Sequence, residues 1–195
     1  MNSGELKRAK RDIRRRIVAV RDAVPAAERA RLGALVADRF LSLPEMDAAD
    51  TVLAFWSFGS ELPTAPLIDA LGARGKRVAL PCIVDGELEA RTYVPGDRVT
   101  ETSFGAFEPV DGTLDATEID VIAVPAVAFD RECRRIGYGG GFYDRFLPTT
   151  REDAVRAGFA AAVQLLPPGE LLPAGHFDAQ VHLVVTESET VRCRS

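Results

Sequence analysis

The chain has 195 residues, 47% hydrophobic and 27% charged, with a formal net charge of −5. That suits one domain, with the basic segment 1–24 part of it, large enough to bury a core, and excludes wholesale disorder. Three cysteines, an odd count without CxxC spacing, argue against a disulfide framework or a cysteine zinc site and fit a reducing cytosol. No apolar run approaches the roughly 20 residues of a spanning helix, and the charged first segment lacks the apolar stretch of a secretory signal. The expected location is the cytoplasm.

Residues 1–24 carry eight Lys/Arg against Glu5, Asp12 and Asp22, an excess of five positive charges that leaves −10 on the remainder. A basic arm on an acidic body suits nucleic acid, an organellar leader, or a solvated helix face that lends cations to an anionic ligand. A single serine and three acids weigh against the leader. Within this arm Leu6, Ile13, Ile17 and Val20 recur at helical spacing, with Ser3 as a candidate cap. Pro25 suits the start of a second helix bearing Leu32, Leu35, Val36 and Leu43. Strand candidates follow at 51–56 (TVLAFW), 76–81 (KRVALP), 87–94 (ELEARTYV), 120–129 (DVIAVPAVAF), 158–166 (GFAAAVQLL) and 180–187 (QVHLVVTE), with helices at 64–75 and from Phe142. The run at 120–129 is apolar throughout, as in a strand buried on both faces. Alternating strands and helices predict a three-layer α/β domain with a mostly parallel sheet flanked by helices.

Ligands of such sheets sit beyond the carboxyl ends of the strands. Four segments fall there: WSFGSE after the first strand, FGAFEP in the long connection, the run RRIGYGGGFYDRFL (134–147), and LPAGHFD before the last strand. Glycine costs backbone entropy, so the cluster at 137–141 is either a tight turn into a helix or a cradle for a ligand. No GK[ST] follows it, which excludes a Walker A loop, and Phe142 stands where a dinucleotide fingerprint needs its third glycine. A helix opening at Phe142 would aim free N–H groups at the cluster. Arg135 before it and Asp144 after it complete a set that suits a nucleotide phosphate with Mg²⁺.

The stretch VPAVAFDRECRRIGYGGGFYDRFL resembles the signature of the 5-formyltetrahydrofolate cyclo-ligase family. KRDIR (10–14), WSFGSELPT (56–64), GAFEP (105–109) and LPAGHFDAQVHLVVTE (172–187) resemble further segments of that family in the same order. The resemblance implies an α/β fold with a Gly-rich nucleotide-binding loop. It also implies an ATP- and Mg²⁺-dependent enzyme closing the N5-formyl group of 5-formyltetrahydrofolate, with or without a polyglutamate tail, onto N10. The products are 5,10-methenyltetrahydrofolate, ADP and phosphate, with no nucleic acid, membrane or obligate protein partner. Carried over, Lys10, Arg14, Arg135, Gly137, Gly139, Gly140, Gly141, Phe142 and Tyr143 bind ATP. Trp56, Glu61, Tyr138 and Phe142 meet the folate, Asp144 and Asp178 hold Mg²⁺, and Arg135 and Tyr138 are the catalytic candidates.

Two positions depart from the family pattern. Cys133 stands where members have glycine, so the turn is expected to be built differently; the thiol is read as a packed residue, with a low-pKa thiol beside Arg131, Arg134 and Arg135 as the alternative. His182 replaces an acid near the last strand, which leaves Asp178 as the metal ligand there. Two other readings stay open: a divergent ATP-dependent relative acting on another formyl or amide metabolite, and an RNA-binding module using the basic arm. The latter lacks an aromatic–basic platform, and the acidic body would repel phosphate backbones.

Overall fold

The computed structural model describes residues 2–193. In chain order, α1 (Ser3–Asp22), α2 (Ala26–Leu41) and α3 (Glu45–Ala48) precede β1 (Thr51–Leu53). Helix α4 (Ala65–Ala73) then leads into the hairpin of β2 (Arg77–Val84) and β3 (Glu87–Thr92). Short strands β4 (Val99–Glu101), β5 (Phe107–Pro109) and β6 (Thr113–Leu114) occupy the turn-rich connection to β7 (Val121–Val124). A small hairpin of β8 (Ala128–Phe129) and β9 (Arg135–Ile136) follows, then α5 (Phe142–Phe146), β10 (Val155–Phe159), β11 (Leu183–Val185) and β12 (Thr190–Arg192).

Eight strands form the main sheet in the order β12-β11-β10-β7-β1-β2-β3-β6. The central pairs β11-β10, β10-β7, β7-β1 and β1-β2 are parallel, and β12, β3 and β6 close the edges antiparallel. Side chains alternate across the pleat, so Val52 and Ala54 join one core while Leu53 joins another. The first core packs Val36, Phe40, Leu67 and Leu71 of α2 and α4 onto the sheet. Opposite, Phe146 of α5 and Leu147 cover the second face with Phe129 and Cys133. A third cluster seats Ile17 of α1 on Val127, Ala128 and Ile136, which brings the basic helix to the β8–β9 hairpin.

Several sequence-based boundaries shift. Asn2, not Ser3, caps α1: its Oδ1 accepts from Glu5 N at 2.9 Å, and Glu5 Oε2 accepts from Asn2 N at 2.8 Å. Val20 and Leu35, placed on apolar stripes by spacing, are exposed. The strand expected at 158–166 runs instead over Val155–Phe159 and gives way to a 3-10 turn at Ala162–Gln164. The apolar run 120–129 is two strands, because Pro125 has no N–H to continue the ladder. Strand β12 and the β4–β5 hairpin carry no strong sequence pattern and arise from pairing in the fold.

The cysteine expectation is corrected. Cys133 and Cys193 form a disulfide with Cα atoms 5.8 Å apart, tying the end of β12 to the β8–β9 turn. Cys133 is thus a bonded residue rather than an incidental packed one or a reactive thiol, and an odd count did not exclude a pair. It also has φ +58°, the left-handed backbone that glycine adopts without penalty. The turn therefore keeps the conformation that a glycine at this position favours.

Candidate active site

The carboxyl ends of β1, β2 and β7 open into a cavity of about 490 Å³, within the range of small-molecule sites. Phe55, Pro81, Ile83 and Pro125 line its floor, and α1, the glycine run and the 102–108 segment wall it in. Every residue that the sequence assigned to ATP, folate, metal or catalysis lines this cavity, although they lie as far apart in the chain as Lys10 and Asp178.

One end is cationic. Lys10 and Arg14 lie one turn apart on α1 and face inward, while Lys7 and Arg15 are exposed. Arg14 Nε donates to Gly137 O at 2.7 Å, bracing the helix on the glycine run. Lys10 Nζ pairs with Asp178 Oδ2, which also accepts from Gly175 N at 2.5 Å. Arg135 is buried and donates to Asp144 Oδ1 at 2.6 Å. Burial pulls its pKa down, and Asp144 opposes that. The same Asp144 oxygen accepts from Ala179 N at 3.0 Å, joining α5 to the segment that carries Asp178. Gly139 and Gly141 have φ of +111° and +69°, so the run turns where a side chain would be strained. Helix α5 has only five residues, so bases and loop amides, more than a helix terminus, characterise this end.

The other end is aromatic. Trp56 meets Phe107 edge-on at 5.2 Å and Tyr93 at 5.9 Å, and Phe58 packs at a tilt against Tyr138 and Phe104 at 5.0 and 4.9 Å. Glu61 is buried, with Oε1 accepting from Tyr138 Oη at 2.8 Å and Oε2 from Phe58 N at 3.0 Å. Burial raises the pKa of Glu61, and burial together with Glu61 raises that of Tyr138. A carboxyl raised in the fold costs stability while ionised, and the cost vanishes where both states hold the proton. Glu61→Gln, whose amide can still bond Phe58 N and Tyr138, is therefore expected to stabilise the fold at neutral pH. The gain should shrink as pH falls towards the ordinary value of 4.5. Urea midpoints at the two pH values test this; an equal gain at both would remove burial as the cause.

Some site residues escaped the sequence reading. Arg21 is buried, donates to Ser60 Oγ at 2.9 Å and lies over the Tyr138 ring at 5.6 Å. Its spacing from Lys10, Arg14 and Ile17 puts it on the same helix face, a periodicity present in the sequence but masked by the summed charge of the arm. Phe104, Phe107 and Glu108 line the cavity from FGAFEP, which the sequence marks as a segment beyond the strand ends without giving any of these three residues a role; Phe107 and Glu108 lie on β5. His182 lies away from the cavity, its Nδ1 accepting from Arg156 N at 3.2 Å.

The donor set suits a magnesium ion. Asp144 and Asp178 line the same cavity end, and each has one carboxylate oxygen with no protein donor among the described residues. Among the described residues no group of three or more His, Cys, Asp or Glu is gathered as a metal site. No described helix is long and apolar enough to cross a membrane.

Residues 6–187 match the profile of the 5-formyltetrahydrofolate cyclo-ligase family. The chain is 35% identical over 176 residues to the 5-formyltetrahydrofolate cyclo-ligase of Escherichia coli strain K12, covering 87% of this chain and 95% of that protein. It is 31% identical over 176 residues to the enzyme of the same name from Haemophilus influenzae, with 87% and 92% covered. The solution structure of Aquifex aeolicus 5,10-methenyltetrahydrofolate synthetase superposes with a TM-score of 0.84 at 31% identity, over 95% of this chain and 93% of that one. The synthetase from Mycoplasma pneumoniae shares the fold, with a TM-score of 0.74 at 20% identity over 91% and 98% of the two chains. Matched along nearly its whole length in sequence and in fold, this chain belongs to the 5-formyltetrahydrofolate cyclo-ligase family.

Proposed function

We propose that this chain uses ATP to cyclise 5-formyltetrahydrofolate to 5,10-methenyltetrahydrofolate, with release of ADP and phosphate. The observation that carries the reading is a single cavity with three bases, a glycine run and two carboxylates at one end, and aromatic rings at the other. An N-formyl carbonyl is a poor electrophile, and its oxygen is a poor leaving group. Transfer of the γ-phosphoryl group to that oxygen lets N10 attack the formyl carbon, lose its proton, and expel phosphate. Such a transfer asks for positioning and charge neutralisation rather than a protein nucleophile.

In this reading Lys10, Arg14 and Arg135 hold the triphosphate against the backbone of Gly137, Gly139, Gly140 and Gly141, beside Phe142 and Tyr143. Arg135 neutralises charge on the phosphoryl group in flight. Trp56, Phe142 and Tyr138 flank the folate rings, and Glu61 with its Tyr138 partner meets the substrate's polar edge. Asp144 and Asp178 would hold Mg²⁺, which supplies charge neutralisation on the phosphates. Purified protein given 5-formyltetrahydrofolate, ATP and Mg²⁺ should generate the methenyl chromophore; folded protein that makes none overturns the reading.

The arm gives a sharper expectation. Lys10→Ala and Arg14→Ala should each weaken apparent ATP affinity about ten- to a hundredfold, the loss of one charge-assisted contact. Lys7→Ala and Arg15→Ala, on the exposed face, should leave it nearly unchanged. Equal effects at all four positions would indicate a diffuse field instead. Trp56, the only tryptophan, supplies an optical check. Its corrected fluorescence should fall saturably with 5-formyltetrahydrofolate and change much less with ATP alone.

A further inference from the structure

Two carboxylates line the aromatic part of the cavity, and they differ in what they already hold. Both oxygens of Glu61 accept from protein donors, Phe58 N and Tyr138 Oη. Glu108, on β5 next to Phe107, accepts at Oε2 from Cys82 Sγ at 3.4 Å. Among the described residues its Oε1 has no protein donor, and no cation pairs with it. A thiol is a weak donor. Burial and the neighbouring Glu108 push the Cys82 pKa up to about 11, so the thiol keeps its proton at neutral pH and points Glu108 rather than neutralising it. A half-buried carboxylate beside the aromatic rings, with acceptor capacity to spare, suits a ligand with N–H donors.

The ligand chemistry of the proposed reaction, on which this step rests, offers two candidates. The pyrimidine edge of a reduced pterin presents two adjacent donors, the ring N–H and the 2-amino group, matched to the two oxygens of one carboxylate. Adenine presents one amino group flanked by ring acceptors, which a carboxylate repels. We infer that Glu108 is a specificity-determining residue that receives the paired N–H donors of the substrate's 2-amino-4-oxo pyrimidine ring, with Cys82 holding its carboxylate in place.

The test is steady-state kinetics of the full chain with 5-formyltetrahydrofolate and with its analogue lacking the 2-amino group. Glu108→Ala should raise KM for 5-formyltetrahydrofolate about tenfold or more and leave KM for ATP unchanged, which also reports an intact fold. Glu108→Gln, with one acceptor and one ill-placed donor in the same volume, should show the same pattern. Wild type should discriminate against the analogue, and Glu108→Ala should lose most of that discrimination. An unchanged folate KM, a raised ATP KM, or discrimination retained in Glu108→Ala overturns the assignment while the cyclo-ligase reading stands. Absence of methenyl product from the wild type overturns both.

Discussion

Asp144→Asn is expected to lower turnover by about two to three orders of magnitude, the scale of removing one preorganised electrostatic partner from a transition state. Asparagine keeps the shape and can still accept from Arg135 and Ala179 N, the two protein donors to Asp144 Oδ1. The fold should survive, because the Asp144 side chain is 29% exposed and water can serve what the amide does not. In the proposed reading, what disappears is a negative charge that would attract Mg²⁺ beside the phosphates, so excess Mg²⁺ should restore only part of the rate. Asp178→Asn should act in the same direction more mildly, since Lys10 is then released to the phosphate side. The check is kcat from the methenyl chromophore across a Mg²⁺ titration, with circular dichroism to confirm folding. Near-normal turnover in Asp144→Asn would reduce that carboxylate to a partner for Arg135.

Asp130→Ala should destabilise the protein by about 3–5 kcal/mol, the range for breaking a buried ion pair from one side. Asp130 is fully buried and pairs with Arg134 Nε at 2.9 Å. It also accepts from Glu132 N at 3.0 Å, Arg134 N at 2.9 Å and Leu172 N at 2.8 Å. Alanine strands three amide donors and a mostly buried guanidinium, whereas asparagine retains one acceptor and should cost less. Because Leu172 opens the segment that carries Asp178, the lesion should also weaken turnover before global unfolding. Urea unfolding gives the free energy, and the melting midpoint should fall by roughly 10 °C. A loss below about 1 kcal/mol would show that water reaches these donors.

The elements that were legible in the sequence were those with a strong local cause. Helix α1 follows from periodic apolar residues, α2 from Pro25 and its stripe, and α4 ends where Gly75 takes φ +73°. The central strands are apolar because helices and loops cover both of their faces, and a composition of that kind survives without any knowledge of neighbours. Boundaries were less legible where a tertiary partner chose them. Strand β10 begins at Val155 because Val155 pairs with Val121 of β7, a register fixed by a strand more than 30 residues upstream. Strand β12, three residues long, exists through its pairing with β11.

Within the site, residue types came from the sequence, and the resemblance ordered them. Glycines in the 137–141 run, a base before them and an acid after them suit an anion, although the residues alone leave a tight turn into a helix open. Partners came only from the fold. That Glu61 is capped by Tyr138, that Lys10 meets Asp178 across 168 positions, and that Cys133 reaches Cys193 are facts of chain return. Local propensity acts over a few residues and is written in the chain itself. Contacts between distant segments depend on how sheet register and helix packing bring those segments back together, and only the assembled core sets that geometry.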